Sequence, residues 1–295
     1  MKPPSFEYFA PTSLGEATDL LRQYGDEAKV LAGGQSLMPL LNMRLVRPKA
    51  LVDINRIPGL DHISPTAGGG LAIGALARQR AVERSALARE RVPLLPEALP
   101  FVGHFQIRNR GTVGGSIAHA DPAAELPALS VALGAEFVLA GDGRQRVVKA
   151  EDFFLTFLTT AIAPGELLTE VRFPALGNGW GWGFQEVCRR EGDFALVGAV
   201  ALLRLDEDGV CRGVRITMFG VGGTPLRLPR SEEAMLGQKV SRPNIKEAAR
   251  LASEALAPGS DIHASAEYRK EVGGVLVGRT LEAARQRRAR GGPGR

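Results

Sequence analysis

Thiols and imidazoles are scarce in this 295-residue chain, which has two cysteines, Cys188 and Cys211, and four histidines. Two cysteines are too few for a disulfide framework. They are also too few for an iron–sulfur cluster, which normally takes four thiolate ligands. The histidines do not show the spacing of zinc ligands, so a zinc site is unsupported. We therefore expect any redox chemistry of this chain to come from an organic cofactor.

Long apolar runs are also missing. No stretch of about 18 apolar residues is present that would span a bilayer. The N-terminus does not show the basic segment and apolar core of a secretory signal. These absences predict a cytoplasmic chain without a membrane span, one that associates with a membrane only through partners.

Acidic residues are absent from the arginine-rich C-terminus. The formal net charge is +5, and five arginines follow position 284: Arg285, Arg287, Arg288, Arg290 and Arg295. Without them the body is neutral, so the charge gives little support to a nucleic-acid-binding protein. We expect residues 289–295 to be a disordered basic tail, with docking of this tail to a partner as the alternative.

The first 55 residues predict an α/β unit. Ser13-Leu-Gly-Glu16 is a capping box that begins a helix with apolar residues at helical spacing, and Gly25 is its natural end. A strand at 29–32 leads directly into Gly33-Gly34-Gln35-Ser36. A short helix at 37–45 and a strand at 50–54 complete the unit.

A second set of strands and helices is predicted between positions 71 and 173. The predicted elements are a strand at 71–76, a helix at 78–89, a proline-broken helix at 92–102, a helix from Asp121 (N-cap) and Pro122 to about 133, a hairpin around Gly141-Asp142-Gly143 and a strand at 166–173. Proline at a first helical turn and Asp-Gly between two strands are the more specific of these signals.

Residues 174–183, rich in glycine, are interpreted as a linker that marks a domain boundary. Trp180 and Trp182 there either cover a cofactor or partner surface or pack between the domains. The predicted elements beyond the linker are strands at 184–189, 197–205 and 210–219 and helices at 231–236, 243–256 and 264–288. Strands followed by helices predict an α+β second domain.

Two glycine pairs are candidates for anion binding. Gly33-Gly34 lies between a strand and a helix, and Gly114-Gly115 lies before another helical segment. Glycine allows positive φ and close approach of a ligand to successive backbone amides, which together form an anion-binding nest. Two such loops would hold a pyrophosphate from both sides. Each pair alone is also typical of an ordinary turn, and neither matches a G-x-G-x-x-G fingerprint or a P-loop.

In context, however, the two segments resemble one family. Lys29-Val-Leu-Ala-Gly-Gly-Gln-Ser36 and Gln106-Ile-Arg-Asn-Arg-Gly-Thr-Val-Gly-Gly-Ser116 closely resemble the FAD-binding medium subunit of carbon monoxide dehydrogenase. They resemble equally the FAD domain of xanthine dehydrogenase and other molybdenum hydroxylases. The resemblance continues through Ala120-Asp-Pro-Ala-Ala-Glu-Leu-Pro127, Arg189-Arg-Glu-Gly-Asp-Phe-Ala195 and Ser265-Ala-Glu-Tyr-Arg269, so it covers nearly the whole chain.

The resemblance implies that residues 32–36 and 111–115 wrap the pyrophosphate and ribityl chain of FAD. It implies that Glu125 reaches the ribityl region, that Leu168 contacts the flavin, and that Gln185 lies near the flavin where the family often has lysine. The implied cofactor-binding residues are Lys29, Val30, Leu31, Ala32, Gly33, Gly34, Gln35, Ser36, Val102, Gly111, Thr112, Gly114, Gly115, Ser116, Ala120, Asp121, Glu125, Leu168 and Gln185.

Several charged residues near these segments have two interpretations. Arg108 and Arg110 either offset the charge of the phosphates or are ordinary surface arginines. By analogy with the family, Asp193 and Phe194 shape access to one face of the isoalloxazine. Residues 189–191 are alternatively a solvated loop.

The resemblance also implies the fold, which is α+β. Residues 1–176 would form a two-part FAD-binding domain of the PCMH/vanillyl-alcohol-oxidase type, with subdomains at about 1–56 and 57–176. Residues 177–288 would form a smaller C-terminal flavoprotein domain with a three-stranded antiparallel sheet and helices. FAD would be bound without a covalent link.

The implied activity is that of an electron-transferring subunit of an oxidoreductase. Electrons would come from 2Fe-2S clusters of a small subunit and leave to an external acceptor, while a large subunit with the molybdenum cofactor hydroxylates the substrate. The assembly would be a dimer of heterotrimers, and this chain would hold neither a metal nor a catalytic residue. The alternative is a stand-alone FAD-dependent oxidase or dehydrogenase, for which the second domain shows no evident His or Tyr as a base.

Overall fold

The computed structural model describes residues 2–177 and 179–289. The strands are β1 (Glu7–Phe9), β2 (Ala28–Leu31), β3 (Ala50–Asp53), β4 (Ile63–Pro65), β5 (Leu71–Gly74), β6 (Glu136–Gly141), β7 (Arg144–Lys149), β8 (Phe154–Thr156), β9 (Thr159–Thr160), β10 (Leu167–Phe173), β11 (Trp180–Val187), β12 (Val197–Leu205), β13 (Cys211–Phe219) and β14 (Leu226–Arg227). The helices are α1 (Leu14–Tyr24), α2 (Leu37–Asn42), α3 (Gln79–Arg84), α4 (Ala86–Arg91), α5 (Leu94–Ala98), α6 (Phe105–Arg110), α7 (Val113–His119), α8 (Glu125–Leu133), α9 (Ala150–Phe153), α10 (Pro229–Glu233), α11 (Arg242–Ala255) and α12 (Ala266–Ala289).

The chain begins with a small parallel sheet of order β1-β3-β2. Its first helix, α1, starts as the capping box predicts, because the Ser13 hydroxyl accepts a hydrogen bond from the Glu16 amide at 3.2 Å. The Glu16 carboxylate accepts from the Thr12 amide at 3.0 Å, one residue before the position expected for a capping box. The helix ends at Gly25, which has positive φ, as predicted.

An antiparallel sheet of order β4-β5-β10-β6-β7 follows. The predicted hairpin between β6 and β7 is confirmed, and its turn residues Asp142 and Gly143 both have positive φ, typical of a type I′ turn. Helix α8 is buried along its whole length because it also packs against β12 and β13. One helix therefore connects the cores of the N-terminal half (residues 2–177) and the C-terminal half (residues 179–289).

The C-terminal half is a four-stranded antiparallel sheet of order β11-β12-β13-β14 with α11 and α12 on one face. The short strand β14 adds to the three strands that were predicted. The linker interpretation of residues 180–183 is wrong, because these residues form the start of β11. A Cβ at Gly181 or Gly183 would collide with the backbone of α12, so these glycines allow the helix to lie directly on the strand.

The opposite face of this sheet continues the core of the N-terminal half. Trp182, Val200, Leu202 and Phe219 are buried in one cluster with residues of the antiparallel sheet and α8. A separate cluster lies between the sheet and α11 and α12. The two halves therefore share one core, and the C-terminal half has a second core of its own.

The bounds of several predicted helices differ from those observed, and two of the differences have a clear local cause. The helix at 78–89 is divided at Ser85, which is extended and whose hydroxyl caps α4 by accepting from the Ala88 amide at 3.1 Å. The helix predicted from Asp121 begins instead at Glu125. Asp121 caps a turn, since its carboxylate accepts from the Ala123 amide at 2.9 Å.

The C-terminal helix includes part of the arginine-rich segment. Because α12 extends to Ala289, Arg285, Arg287 and Arg288 are helical. Apart from Ala289, the predicted disordered tail lies outside the described residues. Among the helices that the structure describes, none has the length and apolarity needed to cross a bilayer.

Arg287 connects α12 to the N-terminal half. The Glu97 carboxylate on α5 accepts hydrogen bonds from the Trp182 indole at 3.1 Å and from the Arg287 guanidinium at 2.5 Å. The guanidinium also lies over the Trp182 ring, 4.8 Å from its centroid. These contacts join α5, β11 and α12 at the junction between the halves.

Arg287→Ala should lower the midpoint of thermal unfolding by about 2–4 °C, because a half-exposed ion pair and a cation–π contact together contribute on the order of 1 kcal/mol. Arg285→Ala is the control, since Arg285 pairs with Glu282 on its own helix. The comparison is made by scanning calorimetry without cofactor. An equal effect of the two substitutions would contradict a role for Arg287 between the halves.

Candidate functional site

The two glycine-containing segments predicted to bind one ligand lie against each other. We call residues 33–36 the first glycine segment and residues 111–116 the second glycine segment. A Cβ at Gly33 would lie only 2.9 Å from the Gly111 Cα and would collide with the Arg110 carbonyl oxygen. A Cβ at Gly115 would be 3.9 Å from the Ala32 Cβ. Direct contact between the backbones therefore requires glycine at position 33.

The first glycine segment has open backbone amides. Gly34 has a φ of 72°, and the Gln35 side chain donates to the Gly33 carbonyl at 3.0 Å. Within residues 2–177 and 179–289, no acceptor receives a hydrogen bond from the amides of residues 33–36. Successive amides in this state are the donors of an anion-binding nest.

The second glycine segment is different, and the prediction of a second open loop is wrong. Thr112 is the N-cap of α7, so Gly114 and Gly115 lie inside the first turn of a helix. The Gly114 amide donates to the Ala75 carbonyl at 3.0 Å, and the Gly115 amide donates to the Thr112 hydroxyl at 3.1 Å. Gly114 allows α7 to pack on Ala75, where a Cβ would be 2.5 Å from the Ala75 Cβ. This segment shapes the site mainly by packing.

Arg108 has neither of its two predicted roles. It is 7% exposed and forms an ion pair with Glu83 at 2.8 Å. Its guanidinium also donates to the carbonyls of Val102 and Gly103 at 3.0 and 2.7 Å. Arg108 is therefore a buried structural residue that holds the chain before α6. The side chain of Arg110 is exposed, as one of its two interpretations predicts.

A short polar network joins the two glycine segments. Arg78 donates to the Arg110 carbonyl at 2.6 Å and to the Asn55 side-chain oxygen at 2.8 Å. The Asn55 side-chain amide donates to the Ala32 carbonyl at 2.8 Å. Neither Arg78 nor Asn55 was predicted from the sequence. Each lies a few positions past the end of a strand, which is a weak signal because most such residues only form turns.

A cleft of about 740 Å³ lies beyond the C-terminal end of α7. The N-terminal half contributes Asp121–Ala123, and the C-terminal half contributes residues 192–196, 220–223 and 259–261. Helix α7 has seven residues and is about 10 Å long, so it connects the glycine segments to this cleft. The volume is in the range of small-molecule and cofactor sites.

The predicted isoalloxazine loop lines this cleft. Asp193 and Phe194 both contribute to its wall, and Phe194 is 57% exposed. Asp193 lies 3.6 Å from the Arg189 guanidinium in a partly exposed ion pair. The interpretation in which these residues shape access to a ligand is thus compatible with their position.

Arg269, in the last segment of family resemblance, forms part of the cleft floor. It is 7% exposed and donates to the Asp261 carboxylate at 2.7 Å, to the Gly220 carbonyl at 3.0 Å and to the Leu196 carbonyl. One buried guanidinium therefore holds three loops of the cleft in place. Charge-assisted hydrogen bonds of this kind are stronger than neutral ones.

Two carboxyl groups lie near the cleft, that of Glu125, which is buried, and that of Glu186, which is half-buried. Glu125, at the start of α8, is 3% exposed, and burial raises its pKa to about 7, with a smaller contribution from the Asp121 carboxylate. Burial raises the pKa of Glu186 to about 8, and the charge of Glu125 adds to this increase. The Glu186 Oε2 atom has no hydrogen-bond partner in the described part of the chain. Such an unpaired acceptor is unusual and is typical of a site that holds a ligand.

Strand alternation directs Glu186, and not Gln185, toward the N-terminal half. Gln185 lies on the same face of β11 as Gly183, which α12 covers. Glu186 shares its face with Phe184, whose ring packs on Phe101 at a centroid distance of 5.0 Å. The contact between Gln185 and the flavin stays a prediction, and the sequence analysis missed Glu186.

The remaining predicted residues differ in burial. Lys29 is exposed; Val30, Leu31, Ala32, Gly34, Gln35, Ser36, Val102, Gly115, Ser116, Asp121 and Gln185 are half-buried; Gly33, Gly111, Thr112, Gly114, Ala120, Glu125 and Leu168 are buried. Leu168 belongs to the core, next to the irregularity in β10 before Glu170. Open amides, an adjoining cleft and a carboxyl group with an unpaired oxygen together fit a long ligand with an anionic centre and a ring.

Comparisons with known proteins agree with this geometry. A family described as the FAD binding domain in molybdopterin dehydrogenase matches residues 4–176, and one described as the CO dehydrogenase flavoprotein C-terminal domain matches residues 182–284. The chain is 44% identical to the 6-hydroxypseudooxynicotine dehydrogenase complex subunit alpha of Paenarthrobacter nicotinovorans, covering 97% of each chain. It is 39% identical to the carbon monoxide dehydrogenase medium chain of Hydrogenophaga pseudoflava, covering 96% of this chain and 98% of that one.

Solved structures show the same similarity. A chain of carbon monoxide dehydrogenase from Hydrogenophaga pseudoflava superposes with a TM-score of 0.94 at 40% identity and covers 97% of this chain and 99% of that one. A chain of quinoline 2-oxidoreductase from Pseudomonas putida 86 has a TM-score of 0.91 at 38% identity, with coverage of 97% and 99%.

The raised pKa values of Glu125 and Glu186 predict a pH-dependent stability. Since the pKa values of Glu125 and Glu186 are raised in the folded chain from about 4.5, folding binds protons between about pH 4.5 and pH 8. Their stabilisation is complete below this window and is lost as the pH rises through it. Urea unfolding of the cofactor-free chain should therefore give a higher free energy of unfolding at pH 5.5 than at pH 8.5, by up to about 5 kcal/mol for the two groups together.

Glu186→Gln should reduce this pH dependence to the contribution of Glu125, because the amide at position 186 stays neutral throughout the window. Glu191→Gln is the control, since Glu191 is exposed in the neighbouring loop. If the free energy of unfolding of Glu186→Gln depends on pH as steeply as that of the unmodified chain, the Glu186 carboxyl group does not contribute to the pH dependence.

Proposed function

This chain belongs to the family of FAD-binding medium subunits of molybdenum hydroxylases, and on that premise we propose that it relays electrons through FAD from iron–sulfur clusters of a partner to an external acceptor. The observation that carries the proposal is the row of open amides at residues 33–36, joined by α7 to the cleft between the halves. A dinucleotide needs both an anion site and a ring site at such a separation. FAD would supply the redox chemistry, since it exchanges electrons with one-electron and two-electron partners.

Each part of the site has a task in this proposal. The amides of residues 33–36 would bind the pyrophosphate, and the second glycine segment would close the site by packing. The cleft would hold the isoalloxazine, with Phe194 limiting solvent access to one face. Glu125 and Glu186 have raised pKa values and would keep a proton near the cleft at neutral pH.

We propose that the clusters and the molybdenum cofactor belong to partner subunits. The names of the relatives, "complex subunit alpha" and "medium chain", support a multi-subunit assembly. The two cysteines also support it, since Cys188 and Cys211 are too few to ligate a cluster. The proposed assembly is a dimer of heterotrimers with a large molybdenum subunit and a small 2Fe-2S subunit. Within this chain, residues 1–176 and 177–288 are the proposed domains.

One observation favours the alternative, a flavoenzyme that oxidises its own substrate. His263 of the C-terminal half lines the cleft, although the sequence analysis found no histidine candidate for a base there. Purification of the chain from its native cells would separate the two functions. Recovery with a large and a small subunit supports the relay, whereas an isolated chain that reduces its FAD with an organic substrate supports the alternative.

The purified chain should bind one FAD per molecule without a covalent link. Denaturation by heat should release all of the flavin into the supernatant, where its absorbance and fluorescence give the stoichiometry. A correctly folded chain that takes up no FAD would contradict the proposed function.

Gly33→Ala should weaken FAD binding by about tenfold or more, because its Cβ would collide with the Arg110 carbonyl and force the glycine segments apart. Gly15→Ala is the control, since a Cβ at Gly15 would have no atom within 4 Å. Titration of the apoprotein with FAD measures both affinities. Equal affinity in the two variants would show that the contact between the segments does not matter for binding.

A further inference from the structure

Arg78 is attached to the second glycine segment through its backbone. The amide of Gln79 donates to the Gly111 carbonyl at 2.9 Å, and the amide of Val113 donates to the Ala77 carbonyl at 3.0 Å. Arg78 and Thr112 thus face each other in an isolated antiparallel bridge. This pairing fixes the position of the Arg78 Cα relative to the second segment.

The side chain of Arg78 extends from this anchor toward the first glycine segment. One guanidinium nitrogen donates to the Arg110 carbonyl, and the other donates to the Asn55 side-chain oxygen. The planar fork of arginine has two donors at a fixed separation, which suits two acceptors on different segments. Lysine carries the same charge but offers a single donor atom.

Asn55 connects Arg78 to the first glycine segment, and its side-chain amide is held in one orientation by two acceptors. Its side-chain amide donates to the Ala32 carbonyl at 2.8 Å and to the Asp53 carboxylate at 2.6 Å. The other oxygen of Asp53 accepts a hydrogen bond from the Tyr8 hydroxyl at 2.6 Å. Ala32 immediately precedes the open amides, so its carbonyl helps to set the direction of the first glycine segment.

We infer that Arg78, acting through Asn55, is a positioning residue that sets the separation of the two glycine segments and thereby the affinity of the open amides for the pyrophosphate of FAD. This inference rests on the proposed function. The two segments touch through bare backbone at Gly33, where no side chain of either segment holds them together. The link from Arg78 to the Arg110 and Ala32 carbonyls holds the touching backbones from both sides.

Four variants test the inference: Arg78→Gln, Arg78→Lys, Asn55→Ala and the double variant Arg78→Gln/Asn55→Ala. Each single substitution removes a link in the same chain of hydrogen bonds, so each should weaken FAD binding by about 10- to 100-fold. The affinity of the double variant for FAD should be no more than about twofold below that of the single variant that binds FAD more weakly. The effects of residues that act as one unit are not additive.

Arg47→Gln is the matched control. Arg47 is exposed and forms no hydrogen bond or ion pair with any residue that the structure describes, and its substitution removes the same charge from the same half. Its affinity for FAD should stay within about twofold of the unmodified chain. Hydrogen exchange of the cofactor-free protein should be faster at residues 32–36 and 110–115 in the Arg78 and Asn55 variants, and unchanged in the control.

The outcomes are distinct. Wild-type affinity in Arg78→Lys would show that charge alone is needed and would overturn the inference. Losses that add fully in the double variant would also overturn it, because the two residues would then act separately. A fall in thermal midpoint of more than about 3 °C without FAD would assign the loss to folding. If the unmodified chain takes up no FAD, the proposed function itself fails, and the hydrogen exchange of the two segments still tests the link.

Discussion

The contact between the backbones of Gly33 and residues 110 and 111 is the constraint on which the site depends. Two segments that are far apart in sequence approach here without side chains between them, so the first segment does not tolerate a Cβ at Gly33. Because the second segment begins α7, the same contact also determines where that helix points. The helix in turn places Asp121–Ala123 at the cleft, so the open amides and the cleft have a fixed relation.

The division of labour between the two glycine segments follows from their hydrogen bonds. The first segment leaves its amides free, whereas the second uses its amides to begin a helix and to pack on Ala75. In a site with one open and one closed segment, the distance between the two segments must be set more accurately than in a site made of two flexible loops. The network from Arg78 through Asn55 to Ala32 supplies a rigid link of this kind, and Arg108 holds the preceding turn with its buried ion pair.

The junction between the two halves provides the rest of the site. Since the C-terminal sheet shares the core of the N-terminal half, the cleft does not open by simple separation of two independent domains. The same arrangement buries Glu125 and partly buries Glu186 beside the cleft, and the free-energy cost of removing these carboxyl groups from water is lower when they are protonated. The two carboxyl groups near the cleft are thus a consequence of how the halves pack, and their pKa values are raised to near neutral pH.

Local signals in the sequence determined the capping box of α1, the β6–β7 hairpin, most of the strands and the family-specific glycine motifs, because each depends on residues close to one another in the chain. Only the tertiary structure decided the start of α7 at Val113, the strand character of Trp180-Gly-Trp-Gly183 and the burial of Arg108. Each of these depends on a distant partner: Ala75 beneath Gly114, α12 above Gly181 and Gly183, and Glu83 beside Arg108. Glu186, Arg78 and Asn55 belong to the same class, since their surroundings come from segments that no local pattern brings together.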